Sequence, residues 1–143
     1  MLAHIAREVH GVTGEVDREE QCFAAFFGFL QQRPAFFRIL NGAELFAPEG
    51  FRKHFANIAD DCLAALRNAR ARGTLPGFME DELEPLVFLL MAMHSYTSMR
   101  YAYADDGQAK RRPDALWSAY AKLIRNGLTG GGPELVKRQD RNE

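Results

Sequence analysis

Apolar residues along this chain recur three and four positions apart in several windows, and Gly, Pro or Asp separates one window from the next. No stretch alternates apolar and polar residues over a useful length. The pattern therefore predicts an all-α protein, an antiparallel bundle of about five to six helices. The first window, Leu2 to Val16, is broken by Gly11 and Gly14 and carries few large apolar groups, which predicts a weak helix. From Arg18 to Gln32 the residues Cys22, Phe23, Phe26, Phe27 and Leu30 form one apolar face, and Pro34 ends it. A short helix with Phe36, Phe37, Ile39 and Leu40 follows, and Asn41-Gly42 reads as its stop.

Pro48 suits a first helical position and Glu49 complements the helix dipole. Phe51, Phe55, Ile58, Cys62 and Leu66 then mark one stripe that Arg70, Arg72 and Gly73 close, giving a helix of about 24 residues. The next helix is expected to start near Glu82, because Pro85 is harmless only in a first turn. Leu83, Leu86, Leu90, Met93 and Thr97 form one face of it, Val87, His94 and Tyr101 widen that face, and Leu89 and Tyr96 extend it around the side. A helix apolar over so much of its circumference needs two covers, one from its own core and one from elsewhere. After Asp106-Gly107 and the basic run Lys110, Arg111, Arg112, Pro113 opens a last helix with Leu116, Trp117, Tyr120, Leu123, Ile124 and Leu128. The glycine-rich, polar stretch from Gly130 to Glu143 reads as a mobile tail.

Composition narrows the function classes. A hydrophobic fraction of 47% with 26% charged residues excludes a disordered chain, and 143 residues suit a single core. A formal charge of −1 leaves no global footprint for nucleic acid or an anionic membrane. Cys22 and Cys62 lie in apolar helical contexts with no metal-ligand spacing, so buried, reduced thiols and a cytoplasmic setting are expected. The longest apolar run, Leu86 to Met93, is too short to cross a bilayer, and no membrane partner is expected.

The order of several marks resembles the C-terminal ligand-binding and dimerisation half of TetR-type transcriptional regulators. The marks are the segment Arg33-Pro34 to Leu45, the helix closed by Arg67-Asn68-Ala69-Arg70-Ala71-Arg72-Gly73-Thr74-Leu75, and the last helix, where Trp117, Tyr120, Leu123 and Ile124 precede Asn126-Gly127-Leu128. Together they cover Gln21 to Leu128. The resemblance implies that residues 17–128 form an effector-binding and dimerisation domain, with residues 1–16 as a weak connector helix and residues 129–143 as a flexible tail. It also implies a homodimer in which the last two long helices pair with their copies. Leu90, Tyr96, Trp117, Tyr120, Leu123 and Ile124 are the expected interface residues. No helix-turn-helix precedes Leu2 here, so this chain alone is expected not to bind operator DNA.

In such a fold the effector, a small and mostly apolar molecule, would sit between helices against a few polar groups. The candidate ligand-binding residues are Phe26, Phe27, Phe55, Cys62, Met93, His94, Thr97 and Tyr101, all of which also suit plain core packing. His94 is the sharpest of them, because Ser95, Tyr96, Thr97 and Ser98 follow it; a histidine satisfied by a neighbouring group is the competing account. Arg100 could neutralise an acidic effector. Enzymatic readings find little support: no Glu-x-x-His pair, no His-Glu-x-x-His and no Gly-rich phosphate loop are present, and the adjacent pairs Asp60-Asp61 and Asp105-Asp106 point apart. No catalytic residue, metal or cofactor is expected. A globin-like chain with His94 as axial haem ligand fits only the loose criteria of length, helix and Phe content. A ligand-free dimerisation module, forming mixed dimers with a full-length regulator, is the stronger alternative.

Overall fold

The computed structural model describes residues 1–33, 35–101 and 113–129. Six α-helices account for most of them: α1 (Leu2–Glu8), α2 (Glu15–Gln32), α3 (Phe36–Phe46), α4 (Pro48–Ala71), α5 (Leu83–Tyr101) and α6 (Asp114–Thr129), with a 3₁₀ turn at Glu80–Glu82 before α5. No strand occurs among the described residues. The all-α expectation is met. The tail from Gly130 and the connection through Asp106 and Arg112 lie outside the described residues.

Helix α2 is the hub. It packs on α1, α5 and α6, while α4 packs on α3 and α5. The core gathers Phe23, Phe26, Phe27, Phe29 and Leu30 of α2 with Leu66 and Ala69 of α4. Leu83, Leu86, Val87 and Leu90 of α5 and Tyr120, Ile124 and Leu128 of α6 complete it. Leu75, in the turn after α4, is a plug in the same core with 1% exposure. The chain reaches that position because Gly73 takes φ +75°, a conformation that side-chain-bearing residues rarely adopt.

Local signals explain most boundaries. Pro48 opens α4 and Arg70 sits in its last turn, so the 24-residue helix runs between its sequence signals. Gly11, at φ +84°, lies in the turn between α1 and α2. One stop fails: helix α3 continues through Asn41-Gly42 to Phe46, whereas α6 reaches Thr129, one residue past Asn126-Gly127-Leu128. A glycine inside a helix costs only about 1 kcal/mol relative to alanine, which packing of α3 on α4 and of α6 on α2 offsets.

Helix α5 has two apolar faces, as expected. Leu83, Leu86, Val87 and Leu90 enter the core, while Phe88, Leu89, Tyr96 and Met99 stand exposed. The expected interface set, by contrast, divides. Leu90, Tyr120 and Ile124 are buried in the chain's own core and Trp117 packs partly against it, whereas Tyr96 and Leu123 are 78% and 57% exposed. Leu90, Tyr120 and Ile124 are therefore removed from any outer surface. On both helices buried residues lie one or two positions away from exposed apolar ones, and periodicity alone did not separate them.

Candidate functional site

Where α2, α5 and α6 meet, three polar side chains converge inside an aromatic setting. Tyr120 donates its O–H to Glu19 Oε1 at 2.5 Å, and His94 Nε2 lies 2.8 Å from the same oxygen and 3.0 Å from the Tyr120 hydroxyl. A bare ring nitrogen there would face the carboxylate lone pairs, so the arrangement that satisfies all three groups puts a proton on Nε2 and makes it a donor. Glu19 thus ties its own helix to both α5 and α6. Hydrogen bonds to a charged acceptor contribute about 1.5–3 kcal/mol each.

Aromatic rings enclose the cluster. Phe23 stacks on Tyr120 with centroids 3.8 Å apart and planes 8° from parallel, and Phe26 stacks on His94 at 5.8 Å. Trp117 lies beyond, 6.4 Å from Phe23. The side chains of His94 and Glu19 nevertheless retain 19% and 17% exposure, so the cluster is not sealed. Burial first, and the Glu19 carboxylate second, hold the Tyr120 hydroxyl far above the usual phenol range, so it stays a neutral donor. The same two causes push Cys22 to about 12 and Cys62 to about 11. Neither thiol offers a ready thiolate, which argues against nucleophilic chemistry at either sulfur.

The neighbouring acids of α2 are neutralised differently. Arg125 of α6 forks onto Glu20, with Nε 2.7 Å from Oε1 and Nη2 2.9 Å from Oε2, and also reaches Asp17 at 2.9 Å. Glu15 pairs with Arg72 at 3.5 Å. The Arg125 pairs continue the attachment of α6 to α2 beyond the aromatic stack, and the Arg72 pair ties α2 to the end of α4.

The eight candidate ligand residues are scattered across several environments. His94 and Phe26 are neighbours, and Cys62, Met93 and Tyr101 pack partly buried against the core. Phe27, at 1% exposure, is a core residue. Phe55 packs on Phe51, with centroids 4.7 Å apart, and on His54. Thr97 donates its hydroxyl to the Met93 and His94 carbonyls, and Ser98 to the Ser95 carbonyl. The polar run after His94 is thus partly satisfied within its own helix, a common arrangement for Ser and Thr. Arg100 lies over the ring of Tyr101 at 5.7 Å.

Glu19, Tyr120 as a polar partner, and Phe23 were not among the candidate ligand residues. One signal was present for Glu19. Val16, Glu19, Phe23, Phe26 and Leu30 share a helical spacing, which puts a carboxylate on the core-facing stripe.

A separate open groove of about 660 Å³ lies between the end of α4 and the start of α5, and none of the eight candidate residues lines it. Its arginines, Arg67 and Arg70, are both paired with Glu80, at 2.7 and 3.2 Å. Its character is that of a solvated surface on which the two arginines are already paired and the carboxylates Asp81 and Glu84 are in excess. Among the described residues no group of three or more metal-ligating side chains forms, and no helix is long and apolar enough to cross a membrane. No family model matches the chain, and no curated protein matches it.

Proposed function

We propose that this chain is a ligand-sensing and dimerisation domain of the TetR type, which takes a small, mostly apolar effector and pairs with a second copy through α5 and α6. The observation that carries this reading is the outer face of α5. Phe88, Leu89, Ala92, Tyr96 and Met99 follow one another at helical spacing over about three turns and are all exposed. Contiguous apolar surface of this kind marks an interaction site on a folded domain. Helix α6 adds Leu123 together with the exposed small residues Ala115 and Ala119 at the same four-residue spacing, a surface on which another helix can approach closely. Where DNA-reading heads are attached, an effector that binds better to one α6 position than to another would change their spacing.

Native mass spectrometry tests the assembly. The expected species is a dimer of twice 16.1 kDa, and Tyr96→Glu combined with Leu89→Glu is expected to leave a folded monomer. A wild-type monomer at micromolar concentration would overturn the reading.

The second reading, a ligand-free dimerisation module forming mixed dimers with a full-length regulator, draws support from the burial of Phe26 and Phe27 and from the internal hydrogen bonds of Thr97. It predicts the same dimer, but no rise in melting temperature with any apolar compound.

A further inference from the structure

The outer face of α5 is symmetric in residue type about Ala92, an exposed small residue near the middle of the helix. Four positions to either side stand the exposed aromatics Phe88 and Tyr96. Eight positions to either side stand opposite charges, Glu84 in the first turn and Arg100 in the last, both exposed. On a helix of 3.6 residues per turn these positions fall within about 40° and 80° of Ala92, so all five share one side of α5. At a rise of 1.5 Å per residue, each charge lies about 12 Å from Ala92 along the axis.

The two ends of the face are complementary. Asp81 and Glu84 line the open groove at the head of α5, and neither forms an ion pair among the described residues, because Glu80 already takes both arginines of that groove. Arg100 lies over the Tyr101 ring and meets no carboxylate among the described residues. A parallel partner helix would set Glu84 against Glu84 and Arg100 against Arg100, with the two helix dipoles aligned. An antiparallel one brings each acidic end level with a basic end and opposes the dipoles. It also puts Phe88 of one helix in the same layer as Tyr96 of the other, where two rings can meet, and leaves Ala92 against Ala92 at the crossing, where small side chains let the axes approach. The complement of this face is therefore its own copy turned about a two-fold axis, an arrangement that makes each unlike pair twice.

We propose that two copies of the chain pair through α5 in antiparallel register, crossing at Ala92, so that Arg100 of each copy meets the carboxylate-lined groove at the head of the other copy's α5. This rests on the dimer reading above and goes beyond it: it fixes orientation and register, and it gives the groove an occupant that only the second copy supplies.

Disulfide trapping tests the register, in protein whose own thiols are removed by Cys22→Ala and Cys62→Ala. Two residues can be bridged only when their Cα atoms lie within about 7 Å. In the proposed pairing the two copies of residue 92 face each other, whereas the two copies of residue 88 are about 12 Å apart along the axis. Diamide, which oxidises paired thiols to a disulfide, is expected to link Ala92→Cys into a covalent dimer and to leave Phe88→Cys unlinked, with native mass spectrometry before oxidation showing that both variants are dimeric. Arg100→Glu is expected to weaken the dimer roughly tenfold, because two exposed attractive pairs become repulsive, and adding Glu84→Arg to it is expected to restore the affinity. Linkage of Phe88→Cys as readily as Ala92→Cys, a dimeric Ala92→Cys protein that does not link, or a dimer indifferent to Arg100→Glu overturns the register and leaves the dimer reading standing. A wild-type monomer overturns both.

Discussion

The inner and outer faces of α5 and α6 are built from similar residue types and have opposite fates. Leu90, Tyr120 and Ile124 point inward and are buried, while Leu89, Tyr96 and Leu123, each within a few positions of them, stand in solvent. Hydrophobicity alone does not distinguish the two sets. Contact with the neighbouring helices does: α5 packs on α4 and α2, and on α6 Phe23 covers Tyr120 face to face while Glu19 takes its hydroxyl, so the inner faces are defined by specific partners. The outer face has no such partner among the described residues. A change on the inner face should therefore report on folding, and a change on the outer face on association.

The largest effect is expected from Ile124→Glu, which places a charge at a position with 2% exposure and no cation in its core. A loss of more than about 4 kcal/mol, seen as unfolding in circular dichroism at room temperature, follows from burying an unpaired charge. Phe23→Ala comes next. It removes the ring that stacks on Tyr120 and contacts Phe27, and should lower the urea-unfolding free energy by about 3–5 kcal/mol. Tyr120→Phe keeps the stack but takes one donor from Glu19, for a loss of about 1–3 kcal/mol by the same measurement.

Alkaline pH sharpens the contrast further. The Cys62 and Cys22 thiols are pushed up to about 11 and about 12 by burial and by Glu19, from an ordinary 9.0. The folded state thus holds protons that the unfolded state releases, and stability is expected to be intact below pH 9 and to fall as pH rises from there towards 12. Replacing both cysteines with alanine should make that slope shallower in a series of melting curves, leaving the part above pH 10 that the raised Tyr120 hydroxyl contributes. Both thiols should also resist alkylation at pH 8 until denaturant is added.

Tyr96→Glu is expected to have the smallest effect on folding, within about 0.5 kcal/mol, because the residue is 78% exposed. On the proposed reading its effect on assembly is nevertheless large, with the dimer dissociating in size-exclusion chromatography with light scattering. A Tyr96→Glu protein as destabilised as Tyr120→Phe would erase the distinction between the faces.

The all-α class, the 24-residue span of α4 and the two apolar faces of α5 were legible in sequence, because helical period, Pro48, Gly73 and the placement of Pro85 are local properties of the chain. The stop at Asn41-Gly42 was legible as a signal but was overridden, since its cost of about 1 kcal/mol is smaller than what packing of the helix supplies. His94 stood out as a polar interruption of an apolar helix; its partners did not, because Glu19 and Tyr120 are 75 and 26 residues away from it. Which of two apolar faces turns inward, and which carboxylate meets a guanidinium and which a phenol, are set by how α2, α5 and α6 lie against one another. Periodicity determines that a face exists, whereas only the tertiary arrangement brings the groups that satisfy it within hydrogen-bonding and van der Waals reach.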